Sequence, residues 1–211
     1  MTLGYTCTNE SLDAIIYGMQ LSRGDSILAV LGSGDQAFAM IEYANSVLAV
    51  DNNPAQVKFA LERKALLEAG NFYGFLEHLA GTGTKDYLME IHKLDRDAYF
   101  TPERMESIRR NLDKLEIWEG DIFRQEGKFS RIYLSNVLRY TKKGKAKRGI
   151  RKLAGTLEKK GVLYIADQFD IHREGNTKGF ESFEEDEALS AEAYKLHWHA
   201  MWRPAVYRRA Q

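Results

Sequence analysis

Two continuous apolar runs, "SILAVL" (26 to 31) and "SVLAVD" (46 to 51), stand on either side of a glycine turn and a segment of helical composition. Neither run alternates polar with apolar positions, which predicts strands covered on both faces, as in a parallel sheet. Strand, helix and strand in this order make a βαβ unit. "KLEIWEGDIF" (114 to 123), "FSRIYLSN" (129 to 136) and "VLYIADQF" (162 to 169) predict three more strands. Between them the spacing is helical. Leu12, Ile15, Ile16 and Met19 share one face of a helix over 9 to 21, with Thr8 or Asn9 as its cap and Arg23-Gly24-Asp25 as its end. Asn53 and Pro54 open another helix, which turns Val57, Ala60, Leu61 and Leu66 inward and stops near Gly70. "RGIRKLAGTLEKKG" predicts a helix closed by Gly161, the acidic stretch "ESFEEDEALSAEAY" contains one more, and "KLHWHAMWRPAVYRR" reads as one or two late strands. The alternation predicts an α/β fold, a doubly wound and mostly parallel sheet, in a single domain spanning 1 to 211.

One segment departs from the minimal pattern. Between Gly70 and the strand at Lys114 lie about forty residues where a short connection is usual. "FYGFLEHLA", "KDYLMEIHKL" and "TPERMESIRRNLDKL" predict helices there, the last started by Thr101 and Pro102 with Met105, Ile108 and Leu112 inward. This helical insertion, about 71 to 113, is divided by "GTGT" (81 to 84). It serves either as extra packing or as a lid or substrate wall.

Composition narrows the class. With 44% apolar residues in 211, the chain can bury one substantial core. Its 30 basic and 30 acidic residues cancel, so no specific nucleic-acid binding is expected. A single cysteine, Cys7, excludes an intrachain disulfide and fits a reducing compartment. The N-terminus "MTLGYTCTNE" has neither the basic start nor the apolar core of a secretory signal, and no apolar run has membrane-spanning length. The expectation is a soluble, cytoplasmic protein. His197 and His199 alternate on one strand without a third ligand nearby, so no metal site is expected, and Trp198 and Trp202 read as packing residues.

The candidate chemistry begins at the first glycine turn. Gly32, Ser33 and Gly34 follow a buried strand, where glycine lets the backbone turn tightly and approach a ligand with its amides near a helix N-terminus. Ala37 stands where a dinucleotide fingerprint has its third glycine, so the turn alone does not choose among nucleotides. An NAD-type or non-catalytic nucleotide-binding protein therefore stays open. Asp51 ends the second strand beside this loop, placed to accept hydrogen bonds from ribose hydroxyls. The plain alternative is a turn cap, a role Asn53 already fills. At the end of the third strand, Asp121 can accept an adenine amino group while Ile122 covers the ring.

Together Gly32 to Gly34, Asp51 and Asp121 resemble the glycine loop, ribose acid and adenine acid of the class I S-adenosylmethionine-dependent transferases, over roughly residues 20 to 170. The flanks "YTCTNES", "DNNPAQ" and "YLSNVLRY", with the long insertion, are similar to the betaine-lipid 3-amino-3-carboxypropyltransferase family and its uncharacterised relatives. The resemblance implies a Rossmann-like sheet of the class I methyltransferase type, with S-adenosylmethionine as cofactor. It implies transfer of the 3-amino-3-carboxypropyl group to a small-molecule or lipid acceptor, with methyl transfer as the alternative. Tyr5, Gly32, Ser33, Gly34, Asp51, Asn52, Gln56, Asp121, Ile122 and Ser135 are the cofactor-binding candidates. At the C-terminal edge of the sheet the catalytic candidates are Asn136, Tyr140 and Asp167, with Asp170 beside them and Glu10 folding over from the N-terminal segment. Just past the fourth strand, "RYTKKGKAKRGIRK" (139 to 152) carries eight basic residues and no acid. It is either a solvated loop leading into a helix or a surface that attracts an anionic acceptor or an anionic membrane.

Overall fold

β1 (Ser26–Val30) and β2 (Ser46–Asp51) pair in parallel, from Ser26 opposite Ser46 to Val30 opposite Val50. They form the centre of a seven-stranded sheet in the computed structural model, which describes residues 2–78, 87–167, 179–196 and 203–210, with only the backbone of 87–91 and 167. The other strands are β3 (Leu115–Glu119), β4 (Phe129–Tyr133), β5 (Leu157–Asp167), β6 (Phe183–Glu185) and β7 (Arg203–Arg209). Their order is β3-β2-β1-β4-β5-β7-β6, with β7 antiparallel to both of its neighbours. The order reverses between β1 and β4. Beyond the carboxyl ends of these two strands an open α/β sheet has its crevice.

Alternation along the buried strands divides the core. Ile27 and Ala29 of β1 join Val47 and Ala49 of β2 on one face, while Leu28 and Val50 join Ile132 and Leu163 on the other. The first face carries α1 (Leu12–Met19), α2 (Asp35–Ile41) and α3 (Pro54–Glu68). Ser11 caps α1 by accepting from the Ala14 amide, in place of the expected Thr8 or Asn9, because the Thr8 hydroxyl is taken by the Glu10 amide and by Gln36. The Asn53 side chain caps α3 as its sequence suggests. Leu61 is exposed rather than inward, and Phe59 and Arg63 take the buried positions.

The region between α3 and β3 forms α4 (Phe72–Glu77), α5 (Tyr87–Tyr99) and α6 (Pro102–Arg109). Phe38 of α2, Phe75, Phe100 and Tyr99 make a chain of edge-to-face rings with successive centroids 5.3 Å apart. Arg104 of α6 binds Glu42 and the Tyr43 hydroxyl at 3.0 and 2.7 Å. These described helices extend the core behind α2 and α3, and "GTGT" lies outside the described residues.

On the second face α7 (Lys143–Thr156) starts earlier and stops earlier than its sequence suggests. "LEKKG" belongs to β5: Leu157 pairs with Phe129 and Val162 with Arg131, and residues 158 to 161 loop out at the register shift with Lys160 at φ +64°. Gly161 thus closes a fold-back, where a Cβ would stand 2.7 Å from the Leu157 side chain, and does not cap a helix. Gly149 brings α7 against Phe123, whose ring lies 2.3 Å from where a Cβ would be. The acidic stretch opens with β6, and α8 (Glu187–Lys195) follows it.

Candidate active site

The turn after β1 is held open by glycine. Gly32 has φ +51° and Gly34 φ +89°, and the Gly34 amide donates to the Leu31 carbonyl at 2.8 Å. A Cβ on Gly34 would press on Phe38 at 3.0 Å, whereas one on Gly32 would meet nothing within 4 Å. Gly32 faces a cavity of about 470 Å³ at the C-terminal ends of β1, β2 and β4. That volume is within the range of small-molecule and cofactor sites.

The loop is fixed from behind by a buried ion pair. Asp35 and Arg63 meet at 2.7 Å with both side chains fully buried. Asp35 also accepts from the Ser33 hydroxyl and the Thr8 amide, at 2.8 and 2.7 Å, and Arg63 donates to the carbonyls of Ser33 and Phe75 while lying 4.1 Å over the Phe75 ring. Charges this deep hold their place only with such partners. The pair ties the glycine loop, the N-terminal segment and α4 into one frame.

Asp51 lies at the end of β2, its carboxylate accepting from the Gly32 amide at 3.2 Å and the Asn53 amide at 2.9 Å. Burial pushes this carboxyl above its usual range, against the opposing pull of the amides of Asn53, Gly32 and Asn52. Asp51 therefore braces the turn and also lines the cavity. A carboxylate has about four acceptor positions, so capacity remains for a ligand. Gln56 has none left. Its carbonyl oxygen accepts from the amides of Gly4 and Tyr5, at 2.6 and 2.8 Å, and its amide nitrogen donates to the carbonyls of Tyr5 and Gly32, at 2.9 and 2.7 Å. It lines the cavity as a clamp that holds the N-terminal segment against the glycine loop.

At the opposite end, Asp121 accepts from the Phe123 amide at 3.1 Å and from Lys145 of α7 at 2.7 Å. Burial works upward on this carboxyl, but Lys145, the Phe123 amide and Arg124 together leave it below its usual range. Ile122 and Phe123 lie alongside it. Tyr5 and Tyr140, one from each side of the cavity, share a hydrogen bond, and burial together with that bond raises the Tyr5 hydroxyl.

Beneath the cavity, between Tyr133 and Ser135, is the carboxyl of Glu10. It accepts from the Tyr133 hydroxyl at 2.8 Å and from the Ser135 hydroxyl through Oε1, while Oε2 has no hydrogen-bond partner among the described residues. The side chain is 1% exposed, and burial pushes its pKa up to about 7 against those two bonds. Tyr133, Ser135 and Asn136 face the cavity above it.

The structure thus brings Tyr5, Gly32, Ser33, Asp51, Asn52, Gln56, Asp121, Ile122, Ser135, Asn136 and Tyr140 to one cavity. Gly34 lies behind its wall, where it lets α2 and α3 approach. Asp167 ends β5, but its side chain, like Asp170, His197, Trp198, His199 and Trp202, lies outside the described residues. Thr8 and Gln36 also line the cavity and carry no local sequence signal, since they act through each other across 28 positions; Lys145, from the basic run, lines it too, paired with Asp121. No described residue of 71 to 113 lines it. Among the described residues no group of three potential metal ligands occurs, and no helix is long and apolar enough to cross a membrane.

No protein-family model matches the chain, and no curated protein matches it. Solved structures do match in fold. The N-methyltransferase NodS from Bradyrhizobium japonicum WM9, in complex with S-adenosyl-L-homocysteine, has a TM-score of 0.56 at 12% identity, covering 94% of this chain and 85% of that one. A TehB-like SAM-dependent methyltransferase from Corynebacterium glutamicum has a TM-score of 0.56 at 13% identity, covering 94% and 87%. Magnesium protoporphyrin IX methyltransferase from Synechocystis PCC 6803, with bound SAM, has a TM-score of 0.55 at 12% identity, covering 94% and 78%. The chain therefore has the Rossmann-like fold of class I methyltransferases.

Proposed function

We propose that the chain is an S-adenosylmethionine-dependent transferase, with the methyl group as the group moved. The observation that carries this reading is Asp51, a carboxylate with acceptor capacity to spare, beside the bare backbone of Gly32 at the point where the strand order reverses. S-adenosyl-L-homocysteine and SAM are the ligands of the NodS and Synechocystis structures, which have the same fold.

The residues present fit this cofactor. Asp51 would take the ribose hydroxyls, and Asp121, with Ile122 and Val50 as apolar cover, the adenine. Gly32 and Ser33 leave backbone open to the remaining end of the molecule. When bound, the cofactor supplies an electrophilic carbon on a sulfonium; what the protein adds is alignment of the acceptor with that carbon. Asn136, Tyr140 and Thr141 border the space left for an acceptor, with Lys142 beside them. Lys142 and Lys143, both exposed, suit an anionic small molecule or lipid, so transfer should weaken as salt rises. A protein working on lipid would make peripheral membrane contact through this same stretch.

A second reading is aminocarboxypropyl transfer, favoured by the similarity of "DNNPAQ" and "YLSNVLRY" to the betaine-lipid enzymes. The two are separated by incubating the protein with labelled cofactor and a cell extract. Methyl transfer leaves S-adenosylhomocysteine, aminocarboxypropyl transfer leaves methylthioadenosine, and a preference for NAD over S-adenosylmethionine would remove both.

A further inference from the structure

Glu10 is a buried acid with no countercharge among the described residues. Among the described residues no lysine, arginine or histidine pairs with it, and Oε2 has no hydrogen-bond partner. The groups that face it are the Tyr133 hydroxyl of β4, the Ser135 hydroxyl just beyond β4, and Tyr164 of β5. An unpaired carboxylate is costly in such a place, so the group is poised to hold a proton. Both of its hydroxyl partners in β4 and the turn after it also line the cavity.

Ser135 supplies a second, independent observation. Its backbone sits at φ +50°, a left-handed conformation that serine rarely adopts. Such strain persists where the surroundings dictate it, and it collects at working sites. Here the turn is held by the Leu134 amide on the Tyr164 carbonyl and by the Ala166 amide on the Ser135 carbonyl, at 3.0 and 3.1 Å. The conformation sets the Ser135 hydroxyl between the cavity and Glu10, next to Asn136.

We propose that Glu10, reached from the cavity through the Ser135 hydroxyl, takes up the proton released by the acceptor, and that the acceptor reacts through an O–H or N–H group. This inference rests on the transferase reading for its acceptor. The acceptor's heteroatom forms the new bond to carbon with its lone pair, and the carbon–sulfur bond breaks with its electrons going to sulfur. The acceptor's proton passes to Ser135 Oγ as the Ser135 hydroxyl gives its own to Glu10 Oε1, so that serine ends neutral and Glu10 ends protonated. No further reactant is needed. Glu10 does not touch the acceptor; it positions and charges the serine that does.

Two measurements test it. In protein labelled with carbon-13 at the glutamate side-chain carboxyl, the resonance that disappears in Glu10→Gln should titrate near pH 7 and should move upward in Ser135→Ala, which loses one of the bonds favouring the carboxylate. Titration in the ordinary carboxylate range, or a midpoint unmoved in Ser135→Ala, overturns the relay whether or not the cofactor is identified. With the acceptor captured from extract, Glu10→Gln should slow transfer by ~10²–10⁴-fold and abolish its rise through neutral pH, with binding of S-adenosylmethionine within about threefold of the parent. A variant that keeps the rate and the rise overturns the proposal; binding of no S-adenosylmethionine by the parent overturns the transferase reading instead, and leaves the carboxyl titration to judge the pair. If Glu10→Gln does not fold, Ser135→Ala must show the same loss of rate.

Discussion

Replacing Glu10 by glutamine should flatten the dependence of stability on pH. The folded protein raises this carboxyl from 4.5 to about 7, so between those values it keeps a proton that the unfolded chain has released. Stability from this group is therefore complete below the unfolded value, falls as pH rises through the window, and is lost above about 7. A shift of this size corresponds to ~3 kcal/mol at about 1.4 kcal/mol per pH unit, and with the side chain 1% exposed there is little solvent to screen it. Glutamine has the same shape and no charge. Its carbonyl can keep the bonds from Tyr133 and Ser135, but its amide nitrogen falls where Oε2 has no partner among the described residues, which lowers the variant's stability at every pH by a similar amount. The assay is urea unfolding, followed by circular dichroism, near pH 5 and near pH 8. The parent should lose ~2.5 kcal/mol more than Glu10→Gln between the two, since a part of the window lies below pH 5. Parallel behaviour of the two proteins, or a parent that gains relative to the variant, would refute a buried, proton-holding Glu10.

Other consequences follow from the frame around the cavity. Gln56→Leu removes four hydrogen bonds to backbone and should make the segment around Gly4 and Tyr5 markedly more sensitive to protease, at a stability loss of ~1–3 kcal/mol read from urea unfolding. Arg63→Met strands Asp35 in the core and should destabilise by ~3–5 kcal/mol, and the double variant with Asp35→Asn should recover part of that loss in the same assay. Gly149→Ala forces a Cβ onto the Phe123 ring and should cost about 1–3 kcal/mol in thermal unfolding, with weaker cofactor binding because Phe123 adjoins Ile122 and Asp121.

The sheet was legible because its central strands are buried on both faces and so are written as unbroken apolar runs. Asn53 and Pro54 announced α3 because a cap and its helix are neighbours in sequence. α7 and β5 were harder. Their boundary depends on the pairing of Leu157 with Phe129, and nothing local distinguishes "LEKKG" as strand from the last turn of a helix. In the site, glycines and acids at strand ends were legible as a set, since topology alone brings strand ends together. The pairs that give the site its character were not: Lys145 with Asp121, Asp35 with Arg63, and Glu10 with a serine 125 positions away. Gln56 looked like a ligand contact because its place in the turn is visible, while the two backbone segments it joins are not.

Whether the cavity beside Asp51 takes S-adenosylmethionine is decided by calorimetric titration of the parent and of Asp51→Ala with S-adenosylmethionine and with NAD. One site for S-adenosylmethionine per chain is expected, with no comparable heat from NAD and a loss of ~1–3 kcal/mol in Asp51→Ala, roughly fivefold to 150-fold in affinity. A folded Asp51→Ala that binds as the parent does, or a parent that prefers NAD, would contradict that expectation.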